Sequence, residues 1–231
     1  RGIRDRNGAG ARRPDPVGAA ADTLDTLAAV SADGDVMLAA LLYAFPALQS
    51  AVRSGTGMSA ALADLREGQA AAAQVWALHA EQERSVNTEG LRRLLLAIVR
   101  DLRVVTILLA RQLARMRAAG ALPEPERQAL ARLTRDIHAP LANRLGIWQL
   151  KWELEDLAFR VLEADTYVRI ARLLDDNRSG RERFIQSALA QLREVLADNG
   201  IAADIAGRPK HIYSIWKKMR KKDAPIGELY D

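Results

Sequence analysis

The sequence predicts a mainly α protein, in which an all-helical bundle is followed by the first strand and helix of an α+β domain. Composition supports the bundle, because 49% of the 231 residues are apolar but only 5% are aromatic. Alanine and leucine dominate the apolar set, and both favour helices. Apolar residues also recur at three- and four-residue steps over several long segments, which is the pattern of amphipathic helices.

The first half of the chain is expected to form four helices. Residues 17–30 have an alanine and leucine pattern that suits a helix, and the Asp-Gly-Asp sequence at 33–35 suits a turn. Residues 36–45 (VMLAALLYAF) are apolar nearly all round, so a buried helix is expected there, ending before Pro46. The remaining elements of this half are a loop over 49–57 and helices over 58–83 and 88–116. The last of these helices has the clearest apolar stripe.

Gly120 and the Pro-Glu-Pro sequence at 123–125 interrupt the chain before its second half. Polar residues at 175–180 make a further break, and Asn199-Gly200 suits a helix C-terminus. The elements expected in this half are helices over 126–138, 141–162, 167–174 and 184–196, a strand over 201–206, and a basic helix from Pro209.

Three regions follow from this pattern: a flexible leader over 1–16, a helical domain over 17–178, and a linker helix with the truncated start of a second domain over 179–231. The leader is rich in arginine, glycine and proline and lacks the apolar run of a signal peptide. No segment reaches the roughly 18 apolar residues of a membrane span. The chain has no cysteine, which excludes disulfides and thiol chemistry. A cytoplasmic protein without a membrane partner is expected.

Positive charge is concentrated in residues 207–222, which contain seven lysines and arginines and no acidic residue. The whole chain has a net charge of +5. A histidine, a tyrosine, a serine and a tryptophan lie among these cations. Positive charge beside rings and a hydroxyl suits a polyphosphate or a nucleic acid. An anionic partner is therefore expected.

Two long segments carry a resemblance to a known family. Residues 137–162 (IHAPLANRLGIWQLKWELEDLAFRVL) and 207–219 (GRPKHIYSIWKKM) resemble the RelA/SpoT enzymes, which make and degrade the guanosine alarmone (p)ppGpp. The resemblance extends over residues 85–231. It implies an HD-type helical hydrolase domain, followed by the first strand and helix of a nucleotidyltransferase-like synthetase domain. In that family, regulatory domains that engage the ribosome come after the synthetase.

The family's hydrolase uses one manganese ion, held by an early histidine, an H-D-x-x-E-D motif and a later aspartate. By resemblance, Ala19 lies near the position of the early histidine, and Arg111 near that of the later aspartate. The His-Asp position of the motif is occupied by Tyr43 and Ala44, and its Glu-Asp position by Ala47 and Leu48. A metal must activate the attacking water, and a guanidinium at a ligand position repels it. We therefore expect no manganese and no hydrolysis, as in the monofunctional RelA branch.

Two interpretations of this former metal pocket remain open. In the first, Tyr43 and Phe45 are core residues that fill the pocket. In the second, the pocket still binds a guanine nucleotide as an effector without metal. His138 is expected to be a helix-end histidine whose hydrogen bonds are satisfied.

The family's synthetase transfers pyrophosphate from ATP to the 3′-hydroxyl of GTP or GDP. By resemblance, the nucleotide phosphates would be lined by Arg208, Lys210, Ser214 and Lys218, with His211 nearby. An arginine offers a fork for phosphate oxygens, and lysines add point charges. Lys210, Ser214 and Lys218 lie four residues apart in the sequence, so on a helix they share a face. Asp231 corresponds to the family's first magnesium-binding aspartate, and a later acidic ligand is missing.

The sequence is thus interpreted as a fragment of a RelA-type GTP pyrophosphokinase, itself inactive in synthesis and hydrolysis, with a structural or regulatory role. The full-length protein would bind ATP, GTP or GDP, and magnesium, would engage the ribosome, and would make (p)ppGpp during amino-acid starvation. A homo-oligomer is compatible with the sequence. Two alternatives are an active manganese-dependent (p)ppGpp hydrolase with unusual ligands, and a basic helical module that binds RNA with a steep salt dependence.

Overall fold

The computed structural model describes residues 15–55, 59–81, 101–175, 178–207 and 210–225. Within these ranges the chain forms helices joined by short turns and no strand, which confirms the mainly α class. Contacts between Cα atoms divide the chain into two units, Arg1–Leu162 and Glu163–Asp231. The boundary expected between residues 178 and 179 lies further along the chain and stays a prediction, as does the leader, most of which lies outside the described residues.

The first unit consists of eight α-helices in its described part. They are α1 (Pro16–Ala29), α2 (Gly34–Ala44), α3 (Gln49–Gly55), α4 (Ala60–Glu81), α5 (Leu102–Arg117), α6 (Glu124–Leu133), α7 (Ala139–Arg144) and α8 (Trp148–Leu162). Short 3-10 turns at Pro46–Leu48 and Ala119–Ala121, and a π-helical turn at Thr134–His138, connect some of them. The N-termini of α1, α2 and α5 are capped by the carboxylates of Asp15, Asp33 and Asp101.

Helix α5 lies at the centre of the first unit's core. It packs against α1, α2, α4 and α8. Most of the large, fully buried side chains of this unit are leucines that are at most 1% exposed: Leu27, Leu42, Leu65, Leu109, Leu113, Leu141 and Leu154. Burial of such side chains is the main stabilising term of a helical domain. It also determines where α2 and α5 meet, and so which of their outward-facing side chains become neighbours.

Two elements of the first half differ from the sequence expectations. The loop expected over 49–57 is largely helix α3, because Pro46 starts a 3-10 turn that continues directly into it. The helix expected over 88–116 begins only at Leu102 in its described part. Asp101 is extended (φ −110°, ψ 114°), and its carboxylate accepts a hydrogen bond of 2.9 Å from the backbone N–H of Arg103. Residues 82–100 lie outside the described ranges.

The single helix expected over 141–162 is broken at Gly146. This residue has φ +71°, a left-handed conformation that glycine adopts without a steric cost. The backbone N–H groups of Gly146 and Ile147 donate to the carbonyls of Asn143 and Ala142, which ends α7. Just before α7, the helix expected over 126–138 finishes as the π-helical turn. The chain can therefore change direction twice within this segment.

The second unit contains α9 (Ala164–Asp175), α10 (Arg178–Asp198) and α11 (Ile212–Lys222) in its described part. Helices α9 and α11 pack against each other, and Ile170, Leu174 and Ile215 are buried. Helix α10 is longer than the expected 184–196, and Gly200, with φ +68°, follows its end as expected.

The strand expected over 201–206 does not form. These residues are non-helical, and a strand is held by hydrogen bonds to a neighbouring strand. Among the residues that the structure describes there is no such neighbour. The basic helix does form, but it begins at Ile212, three residues after Pro209.

No single helix in the described ranges has both the length and the hydropathy of a membrane span. The helices Gly34–Ala44 and Pro46–Val52 reach that hydropathy only when counted together, and they are bent by 118°. Helix α2, the first of this pair, buries Val36, Ala39 and Leu42 in the core of the first unit.

Candidate functional site

Two of the residues that the resemblance assigns to a metal pocket lie side by side in the structure. Tyr43 is in the last turn of α2 and Arg111 is in the middle of α5, and these helices pack against each other. The Cζ atom of Arg111 lies 3.6 Å from the centroid of the Tyr43 ring. A guanidinium over a ring face at this distance makes a cation–π contact. Packing of the core thus brings together two residues that are far apart in the sequence.

The remaining residues assigned to this pocket supply hydrocarbon only. Ala19 is half-buried on α1, and the exposed ones are Ala44, Ala47 and Leu48 at the end of α2 and in the following 3-10 turn. Tyr43 is itself 37% exposed, so the expectation that it fills the pocket as a core residue is wrong. Its ring lies against a charged side chain, which keeps this part of the surface in contact with water. Phe45 is half-buried.

These residues do not fit a manganese ion. Divalent manganese prefers carboxylate oxygens and imidazole nitrogens, whereas this surface presents a guanidinium, which repels a cation. In the described part of the chain, no three histidine, cysteine, aspartate or glutamate side chains are grouped so that they could hold a metal ion.

A second arginine, which the sequence reasoning missed, continues this surface. Arg115 lies four residues after Arg111, so the two share a face of α5. The side-chain oxygen of Gln112 accepts a hydrogen bond of 3.4 Å from Nη1 of Arg115. Burial lowers the pKa of Arg115, and the positive charge of Arg111 lowers it further. We call Tyr43, Arg111 and Arg115 the arginine–tyrosine surface. The four-residue spacing of the two arginines could have revealed it.

A buried polar chain lies beneath this surface. Gln112 is 2% exposed, and its Nε2 donates a hydrogen bond of 2.7 Å to the hydroxyl of Thr134. That hydroxyl in turn donates to the backbone carbonyl of Leu130 at 2.8 Å. Thr134 opens the π-helical turn, and such turns are frequent at functional sites. The chain of bonds links α5 firmly to this turn.

His138 ends the π-helical turn and is 4% exposed. Its Nδ1 lies 3.3 Å from the carbonyl of Leu133, and because a carbonyl only accepts, the proton is on Nδ1. Burial lowers the pKa of His138 to about 4, and the charge of Arg115 acts in the same direction. The hydrogen bond agrees with the expectation of a satisfied helix-end histidine. The imidazole is neutral near pH 7.

The second unit contains the residues that the resemblance assigns to nucleotide phosphates. Ser214 and Lys218 lie one turn apart on α11, and both are half-buried. Lys210 is exposed and precedes the helix, while His211 is its N-cap residue. The helical face that Lys210, Ser214 and Lys218 are expected to share therefore contains only Ser214 and Lys218. Arg208 and Asp231 lie outside the described residues.

Other cations of α11 contact aromatic rings. The ring centroids of Tyr213 and Trp216 are 5.5 Å apart. Nζ of Lys217 lies 5.9 Å from the first ring, and Cζ of Arg220 lies 5.4 Å from the second. The last turn also carries Arg220 and two lysines, where positive charge favours a helix C-terminus. Part of this positive charge therefore stabilises the helix itself.

Comparison with protein families gives a match to the HD domain over residues 13–148. This range includes α1 to α7 and ends at the first residue of α8, so it covers the arginine–tyrosine surface. The matched family is named after a His-Asp pair, and this chain has no His-Asp dipeptide. The match therefore does not rest on that pair.

Curated relatives agree with the family match. The GTP pyrophosphokinase of Escherichia coli K12 is 42% identical over 217 residues, which cover 91% of this chain and 29% of that protein. A probable guanosine-3′,5′-bis(diphosphate) 3′-pyrophosphohydrolase of Synechocystis is 46% identical over 144 residues, covering 62% of this chain and 19% of that protein. The corresponding pyrophosphohydrolase of Haemophilus influenzae is 40% identical over 143 residues, covering 62% and 21%.

The chain therefore spans less than a third of the length of these relatives. The family match and the relatives point to the same group of enzymes. The chain belongs to the RelA/SpoT family and carries its HD domain.

Proposed function

We propose that this chain is part of a (p)ppGpp synthetase in which the HD domain has lost hydrolysis and serves the synthetase as a structural or regulatory domain. The observation that carries this proposal is the cation–π contact of 3.6 Å between Arg111 and Tyr43. Both residues occupy positions that the resemblance assigns to metal ligands. A cation stacked on a ring there is incompatible with a divalent ion at the same place.

The intact core favours a structural or regulatory role over a domain that has kept no role after the loss of hydrolysis. The leucine core around α5 is fully buried, and a buried hydrogen-bonded chain joins α5 to the π-helical turn. A domain of this kind keeps a defined shape without its metal, because packing and satisfied polar groups stabilise it.

In the longer protein, the second unit would contribute the first contacts to ATP and GTP or GDP. Ser214 and Lys218 on α11 would face the phosphates, Arg208, Lys210 and His211 would extend that contact, and magnesium would bind at Asp231 with ligands beyond this chain. Apolar side chains of α10 support the presence of further structure around it. Phe184 is 73% exposed and Val195 is 56% exposed. We propose that the rest of a synthetase domain covers them, in a cytoplasmic protein that acts with the ribosome.

The loss of hydrolysis is tested on the 231-residue chain. Release of pyrophosphate from (p)ppGpp is measured with and without manganese, beside the Haemophilus influenzae pyrophosphohydrolase as the active control. We expect no metal-dependent release from this chain. Manganese-dependent turnover by the unaltered chain would overturn the proposal and support the alternative of an active hydrolase with unusual ligands.

The regulatory role is tested in the longer protein. Synthesis of (p)ppGpp is compared between that protein, a truncation that lacks residues 1–162, and Arg127→Gln as a control at an exposed ion pair of α6. We expect the truncation to change the synthesis rate and the control to leave it unchanged. Equal rates for the truncation and the intact protein, with and without ribosomes, would refute a regulatory role.

A further inference from the structure

Helix α5 carries arginines of two different kinds. Arg103 and Arg117, near its two ends, each contact two carboxylates, which are Asp33 and Asp101 for the first and Asp22 and Glu153 for the second. These bonds raise the pKa of Arg103. Burial alone would lower the pKa of Arg117, but its bonds to the two carboxylates raise it overall.

The arginines of the middle of α5 lack such partners. Among the residues that the structure describes, no carboxylate lies within ion-pair distance of Arg111 or Arg115. Arg111 contacts the Tyr43 ring, and the hydrogen bond of Arg115 goes to a neutral amide. Two positive charges therefore lie on one face with no carboxylate beside them in the described part of the chain, and their mutual repulsion contributes to the lowered pKa of Arg115.

This arrangement suits an oxyanion. Arginine presents paired N–H donors that match the oxygens of a phosphate. Stacking on Tyr43 holds the plane of the Arg111 guanidinium, which reduces the freedom lost when an anion binds. Tyr43 and Arg115 keep part of their surface exposed although neighbouring atoms partly desolvate the Arg115 guanidinium, and Arg111 is half-buried, so a ligand can approach all three from solvent.

We propose that the arginine–tyrosine surface is a metal-independent binding site for a phosphate-bearing ligand. Arg111 and Arg115 donate hydrogen bonds to the phosphate oxygens, and Tyr43 positions the first of these arginines. The inference rests on the proposed loss of the metal, because the phosphate occupies the region that the resemblance assigns to the ion. Binding of a phosphate group at this surface would make the HD domain respond to the substrates or products of the synthetase.

The site is tested by titrating the 231-residue chain with inorganic phosphate, pyrophosphate and GDP in metal-free buffer. The basic helix α11 would also attract these anions, so the titrations use the Lys210→Gln, Lys218→Gln background. Binding is followed by calorimetry and by the Nε–H resonances of labelled arginine. We expect Arg111→Gln and Arg115→Gln each to weaken pyrophosphate binding by at least about tenfold, because each removes charge-assisted hydrogen bonds.

Matched variants separate a site from a general effect of charge. Arg103→Gln removes an arginine from the same helix and should leave the affinity unchanged. Tyr43→Phe keeps the ring and should bind as the parent does, whereas Tyr43→Ala should weaken binding by about threefold, since stacking is lost. Circular dichroism confirms that each variant is folded.

Three results would overturn the inference: unchanged affinity in the Arg111→Gln, Arg115→Gln double variant, an equal loss in Arg103→Gln, or binding that requires manganese. Comparison of pyrophosphate with GDP shows whether the ligand is free or part of a nucleotide, and either ranking supports the site if the double variant abolishes it. Failure of this titration leaves the proposed function standing, since that proposal is decided by hydrolysis and synthesis rates.

Discussion

Burial of His138 makes the stability of the HD domain depend on pH. The side chain is 4% exposed and has a pKa of about 4 in the folded protein, against an ordinary value of 6.5. Between these values the unfolded chain binds a proton at this position and the folded chain does not. The contribution of neutral, buried His138 to the unfolding free energy is therefore fully present above pH 6.5 and is lost as the pH falls towards 4.

The size of the effect follows from the two pKa values. At about 1.4 kcal/mol for each pH unit, the interval from 6.5 to about 4 corresponds to about 3 kcal/mol of unfolding free energy. Asp33 and Asp101 have pKa values below their usual 3.8, so their contributions change at lower pH. The contributions of these two carboxylates therefore change below the interval between pH 4.5 and 6 in which the His138 effect is measured.

Urea denaturation at several pH values between 4.5 and 7 measures this dependence. The unaltered chain is compared with His138→Gln, which keeps a donor for the carbonyl of Leu133 but does not titrate, and with His211→Gln as a control histidine outside the first unit. We expect the pH dependence of the unfolding free energy to be shallower in His138→Gln by about 1 kcal/mol per pH unit. The His211→Gln control should follow the unaltered chain.

Equal slopes in the unaltered chain and in His138→Gln would refute this reasoning. Direct titration of the imidazole Cε1–H resonance gives a second measure. A His138 pKa near 6.5 in the folded chain would mean that burial does not destabilise the charged form.

Three further predictions concern the framework of the first unit. Leu109→Ala should destabilise the first unit by about 2–5 kcal/mol in urea denaturation, because the removed side chain is fully buried. The control Leu102→Ala, at a 55% exposed position of the same helix, should cost less than about 0.5 kcal/mol. Gly146→Ala should lower the unfolding free energy by about 1 kcal/mol, because φ is +71° and no atom crowds the new methyl group. The control Gly120→Ala, at a residue without a positive φ, should be nearly neutral. Equal costs for the two variants would contradict a conformational cause. Arg117→Gln should lower the unfolding free energy by no more than about 1 kcal/mol, because its ion pairs are about one-third exposed. In thermal unfolding, the difference in stability between this variant and the unaltered chain should shrink in 1 M salt. A difference that salt leaves unchanged would contradict its electrostatic origin.

Local sequence patterns predicted most helices but misplaced several of their ends. The apolar segment before Pro46 forms α2 as expected, because periodicity and a following proline act over a few residues. Gly146 was not recognised as a break, since an isolated glycine is also tolerated within helices. Helix α3 was missed because part of its support is a hydrogen bond of 2.7 Å between Arg66 and Gln49, which joins it to α4. The strand predicted over 201–206 is absent, because a strand needs hydrogen bonds to a partner strand outside the local sequence.

Residue identity and short-range spacing were enough to predict the helical class and the family, and they put no histidine or carboxylate at the positions that the resemblance assigns to the metal pocket. Three further properties are visible only in the packed protein: Tyr43 and Arg111 touch, Arg115 has no carboxylate partner among the described residues, and His138 is buried. These properties depend on how α2, α5 and the π-helical turn pack together. Burial and charge environment arise from contacts between distant segments, which no local pattern contains.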